Sequence, residues 1–141
     1  MGLCAIHRVT LGAALLGALG DIPAMAEGLP ITPGLWESRT RDLIGEADEV
    51  IEQHCIEEGV FDPAAEMAKD GTCLISNKKI VGNTMDFDVV CSEKDAMGFQ
   101  GHFSSMIDGD RGLHESQLTV ELFDSVSEIH TLSEWRRLGD C

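Results

Sequence analysis

Short runs in which apolar and polar residues alternate, separated by turn-forming residues, dominate the chain and predict an antiparallel β protein. The clearest run is 84–92. Met85, Phe87, Val89 and Cys91 share one parity, Thr84, Asp86 and Asp88 the other, and Val90 is the exception. Strands are predicted near 35–42, 50–57, 73–80, 84–92, 99–107, 113–123 and 127–137. The breakers between them are Gly45-Glu46, Gly82-Asn83, Asp108-Gly109-Asp110 and Asp124-Ser125. Hairpin spacing implies an up-and-down meander, because parallel neighbours need crossovers of about a dozen residues or more. One segment reads as helix: Asp62 is a good N-cap, Pro63 suits the first helical position, Lys69 sits in the last turn and Gly71 can stop it.

Facing follows from the same parity. Phe99, Phe103 and Ile107 line up, with Gly101 between the two phenylalanines; so do Leu118, Val120 and Leu122, and then Ile129 and Trp135. One apolar and one acidic face per strand means a sheet wet on one side. The apolar face is best covered by the sheet curling on itself. The expected fold is mainly all-β: a single curved antiparallel up-and-down sheet, or partly closed barrel, of about seven strands with one short helix.

The first 26 residues predict a secretory signal peptide. Arg8 supplies the positive region, Val9 to Gly20 the apolar stretch, and Ala24-Met25-Ala26 the small-x-small cleavage site. Cleavage after Ala26 would leave a single domain, 27–141, in the periplasm or secreted. It would also remove Cys4 and leave Cys55, Cys73, Cys91 and Cys141, an even number that points to two disulfides with three possible pairings. No Cys-x-x-Cys pair argues for zinc. A two-residue turn at Gly82-Asn83 sets Val81 opposite Thr84 and Cys73 opposite Ser92, one residue short of Cys91. A single bulge, or a three-residue loop with Asn83 left-handed, corrects the register. The expected bridges are therefore Cys73 with Cys91 and, by elimination, Cys55 with Cys141.

Charge narrows the partners. Ten Lys and Arg against 25 Asp and Glu give a formal charge of −15 over 141 residues. Such a chain repels nucleic acid and anionic lipid, and its apolar runs are too short to span a bilayer. The carboxylates include Glu46, Asp48, Glu49, Glu57, Glu58, Asp86, Asp88, Glu93 and Asp95, several at outward or loop positions where solubility is their default role.

Candidate chemistry is sparse. By parity His54, His102 and His130 fall on polar faces of three strands, and His114 on the apolar face near its strand's start. A turn at Asp124-Ser125 sets Phe123 opposite Val126, so that His130 faces Thr119. No metal cluster is expected from this arrangement. Asp108-Gly109-Asp110-Arg111-Gly112 lacks the later acidic positions of a calcium loop and reads as a hairpin turn. No nucleophile motif, phosphate-cradling glycine loop or cofactor signature is present. Arg136-Arg137 is expected to pair with neighbouring carboxylates.

Several landmarks recur in a fixed order: Pro33-Gly34-Leu35-Trp36-Glu37, then Cys55-Ile56 before a short acidic helical segment. Lys69-Asp70-Gly71-Thr72-Cys73 follows, then Gly82-Asn83-Thr84 leading to Cys91, and the chain ends on Arg137-Leu138-Gly139-Asp140-Cys141. This series resembles the bacterial exported family called domain of unknown function 3617. Two features depart from it: the acidic stretch Gly45-Glu46-Ala47-Asp48-Glu49, where many members are rich in Met and Gly, and the size of the negative excess. The resemblance implies an envelope location and four structural cysteines, and brings no catalytic residues. Two classes of function follow from the residues. One is a non-catalytic module binding a small apolar ligand or a basic envelope protein. The other is a hydrolase or isomerase using carboxylates and a histidine.

Overall fold

The computed structural model describes residues 28–92 and 97–141, so the leader expected at 1–26, Glu93 and Asp95 lie outside the described residues. The elements in chain order are β1 (Leu29–Pro30), β2 (Gly34–Asp42), β3 (Val50–Ile56), β4 (Val60–Phe61), α1 (Pro63–Ala68), β5 (Cys73–Val81), β6 (Thr84–Ser92), β7 (Met97–Asp108), β8 (Arg111–Leu122) and β9 (Ser125–Gly139). β2, β3 and β5 to β9 form one antiparallel sheet in the order β3-β2-β9-β8-β7-β6-β5, and β1 pairs with β4 in a separate ribbon. The last strand therefore returns to lie beside the first long one. The sheet stays open between β3 and β5, where the intervening chain builds β4 and α1 instead of a closing pair. No helix among the described residues is long and apolar enough to cross a membrane.

Alternation decides the inner face as the sequence implies. Met85, Phe87 and Val89 on β6 are fully buried, as are Trp36 on β2 and Leu29 on β1, with Phe103 and Ile107 of β7 against them. The Phe87 and Phe103 rings stack at 5.1 Å. Each such side chain withdrawn from water contributes about 2 kcal/mol. The Trp36 indole N–H donates to the Thr32 carbonyl at 2.9 Å, so burying the ring leaves no donor unsatisfied. Gly101 lies on the inner parity between Phe99 and Phe103, where a Cβ would stand 2.0 Å from the Gln117 carbonyl oxygen. Only glycine lets β8 approach β7 there.

The β5–β6 hairpin resolves the one-residue mismatch with a bulge. Val81 pairs with Thr84 and Lys79 with Asp86, but Ser76 pairs with Asp88, leaving Asn77 and Lys78 opposite Phe87 alone. Asn77 takes φ 53°, a left-handed conformation that asparagine tolerates, and its side-chain N–H donates to Asp88 Oδ2 at 2.7 Å. Beyond the bulge Cys73 stands opposite Cys91, and the two are bonded; Cys55 is bonded to Cys141.

At the other end of the sheet the turn falls one residue earlier than expected. Phe123 takes φ 53°, and the Ser125 hydroxyl donates to the Leu122 carbonyl at 2.9 Å, so Leu122 pairs with Ser125. His130 consequently faces Gln117 and not Thr119. Asp108-Gly109-Asp110-Arg111 is a hairpin turn, with Gly109 at φ 60° and Asp108 opposite Arg111.

Candidate functional site

The inner face has two chemically different halves. Across β5, β6 and β7 it is apolar. Across β7, β8, β9 and β2 the inward parity carries hydroxyls: Ser105, Ser116, Ser133 and Ser38 are all buried. Cross-strand register sets these groups in rows, Ser105 opposite His114, His114 opposite Ser133, and Ser133 opposite Thr40. Neighbours then pair off. Ser105 Oγ lies 2.6 Å from His114 Nδ1, Thr40 Oγ1 2.7 Å from Ser133 Oγ, and Ser116 Oγ 2.6 Å from Thr131 Oγ1. The Trp135 indole N–H donates to Ser133 Oγ at 3.0 Å. Every buried hydroxyl is satisfied laterally, which is what a polar floor on a dry concave surface requires.

Above this floor sits a cleft of about 420 Å³ lined by Val60, Phe61, Pro63, Met67, His114 and Trp135, with Asp62 and Glu66 at its rim. Local sequence builds its roof. The Asp62 carboxylate accepts from the Ala65 N–H at 3.0 Å, and Pro63 opens α1 with φ already set for a helix. Three turns of spacing are unnecessary: this one short helix buries Ala64 and turns Met67 toward the sheet. On the sheet side, Trp135 is held between two rings, stacked with His54 at 5.4 Å and tilted against Phe61 at 5.5 Å.

His114 supplies the cleft's ring nitrogen. Burial holds its pKa below the ordinary histidine value, so it is neutral at pH 7. A neutral buried base stabilises the fold fully above the unfolded-state value of 6.5 and progressively less as pH falls below it. Stability to urea should therefore decline from pH 6.5 toward pH 5 by up to about 1.4 kcal/mol per pH unit from this one group. His114→Asn, which keeps a hydrogen-bonding group near Ser105, should flatten that part of the profile; an unchanged slope would assign the pH dependence to other groups.

His54 is inward-facing, contrary to the parity expectation. β3 pairs with β2 so that His54 stands opposite Trp36, and its Nε2 lies 3.3 Å from Ser38 Oγ. The expectation fails for a physical reason: apolar residues occur at both parities of β3, so alternation alone names no inner face. His102 and His130 do lie on the outer face, each against a carboxylate. His102 Nδ1 is 2.8 Å from Asp88 Oδ1, and His130 Nε2 is 2.6 Å from Glu115 Oε1. The Asn77 amide and then His102 lower the Asp88 pKa; His130 and then Gln117 lower that of Glu115. Among the described residues no three His, Cys, Asp or Glu side chains converge as a metal ion would need. Arg136 lies 3.5 Å from Glu37, and Arg137 2.7 Å from Asp140 while donating to the Pro33 carbonyl.

The Ser105–His114 pair escaped sequence reasoning, which found no nucleophile beside a base. Its signal was available: Ser105 has the parity of Phe103 and Ile107, and His114 that of Leu118. Only the β7–β8 register makes them partners. Ser105 is 1% exposed, so its hydroxyl orients the imidazole and cannot meet a substrate.

No curated protein and no solved structure matches the chain. The family described as "Protein of unknown function (DUF3617)" matches residues 31–141, which takes in all the long strands, α1 and both disulfides. The chain belongs to the DUF3617 family.

Proposed function

We propose that the protein is a non-catalytic binding module of the bacterial envelope that holds a small, mainly apolar ligand in the cleft between α1 and the sheet. The observation that carries this reading is the lining. Phe61, Met67 and Trp135 offer apolar contact, one neutral histidine offers a hydrogen bond, and the volume of about 420 Å³ lies within the range of small-molecule sites. The His54 ring stacked on Trp135 and the Phe61 ring tilted against it fix the wall before any ligand arrives. Export is supported by Arg8, the apolar stretch after it and Ala24-Met25-Ala26, which would leave Glu27 as the N-terminus. Two disulfides in a small domain also suit an oxidising compartment.

The test uses N-phenyl-1-naphthylamine, a neutral, mainly apolar three-ring probe small enough for the cleft. Its emission should rise on binding, with transfer from Trp135, and Met67→Glu should weaken binding by about tenfold or more, since it would bury a charge against the probe. Thermal unfolding of the same variant checks that the fold survives. Binding that ignores Met67→Glu in a folded protein, or no binding at all, would remove the cleft as the site.

A further inference from the structure

The two edges of the open sheet are treated differently. β5 is defended: it carries the Asn77 bulge and two lysines, Lys78 and Lys79, and α1 packs alongside it, tied by Lys78 Nζ to Asp62 Oδ2 at 2.7 Å. These are the ordinary devices that stop a sheet edge from recruiting another strand. β3 has none of them. It pairs with β2 alone, in unbroken register from Gly34↔Ile56 to Thr40↔Val50, and contains no proline, glycine, lysine or arginine. Val50 and Ile51 are 53% and 51% exposed. Every second backbone N–H and C=O of an edge strand points away from its one neighbour.

The segments that form and flank this edge are acidic, although Arg39 of β2 stands opposite Ile51 and pairs with Glu37. Glu46, Asp48 and Glu49 precede it, Glu52 lies within it, and Glu57 and Glu58 follow, all exposed; residues 43–68 include no lysine or arginine. Among the described residues the ion pairs of these six carboxylates reduce to Glu52 with His54 at 3.8 Å. Like charge makes two β3 edges poor partners for each other. We propose that β3 is a β-augmentation site for an extended basic segment of another protein, one that alternates Lys or Arg with apolar residues. The partner strand would lie about 4.8 Å from β3, its apolar side chains on the face of Ile51 and its cations on the opposite face, beside Glu52, and at the two acidic flanks. This inference is independent of the cleft, which lies on the far side of Trp135 and needs no second protein.

The test uses the full chain with a fluorescein-labelled ten-residue peptide of alternating lysine and valine. Two comparison peptides replace the lysines by glutamate, or N-methylate alternate amides so that cations remain while strand pairing is blocked. The lysine peptide should bind with an affinity that falls as salt rises, and should protect the amides of Val50–Ile56 from hydrogen exchange. The glutamate peptide should not bind, and both N-methylation and Ile51→Lys should weaken binding by about tenfold or more. Ile51 is exposed, so its replacement leaves the core intact. Equal binding of the N-methylated peptide would make the attraction plain electrostatics and overturn the proposal. So would protection at other strands, or a concentration-dependent dimer that protects β3 without peptide.

Discussion

Replacing Cys55 and Cys141 together by alanine should cost about 4.6 kcal/mol of unfolding free energy, the larger of the two disulfide losses. The bridge spans 86 residues, whereas Cys73–Cys91 spans 18, for which the same chain-entropy relation gives about 3.2 kcal/mol. Against a typical domain stability of about 5–15 kcal/mol, the long-loop variant should be marginal at 37 °C. The structure adds a local consequence. Cys55 lies on edge strand β3 and Cys141 follows β9, so this bond ties the open edge of the sheet to β9 across β2. Urea unfolding of both double variants, with amide exchange read at β3 and β9, measures the difference. A long-loop loss no larger than the short-loop loss would mean that the stabilisation does not come from restricting the unfolded chain.

Phe87→Ala should cost about 4 kcal/mol. Phe87 is fully buried, stacks on Phe103 and lies between the buried Met85 and Val89 on the same face, so truncation removes a whole ring from the core and leaves a cavity. Val90, three residues along and facing outward, is the control: it is 47% exposed, and Val90→Ala should stay within about 0.5 kcal/mol. Circular dichroism melts of the pair decide the matter. Similar losses at the two positions would show that the β6 parity does not define the core.

The partial legibility of the fold has particular causes. β6 could be read to the residue, because each side chain on one parity is apolar and nearly every one on the other is polar or charged. The helix was equally plain, since Asp62 and Pro63 act through local hydrogen bonding and a fixed φ. β3 and the ends of β8 and β9 were not plain. At Phe123-Asp124 the turn is set by a left-handed phenylalanine that no propensity would place there. One residue of slip at that turn changed the partner of His130. The two-residue strands β1 and β4 are too short for any periodicity to register.

Alternation, turn chemistry and cysteine spacing determined by themselves that this is an antiparallel sheet with one short helix, and which face of β6 is buried. Those properties are local, or depend on register within one hairpin. Tertiary structure alone decided that β9 lies beside β2, that the sheet stops short of closing, and that a serine-lined floor with His114 and Trp135 faces α1. Hydroxyls are what hid that floor. A serine reads as a surface residue in sequence because burying it alone costs free energy, and only a partner hydroxyl or imidazole on the next strand, supplied by register across β7, β8, β9 and β2, removes the cost.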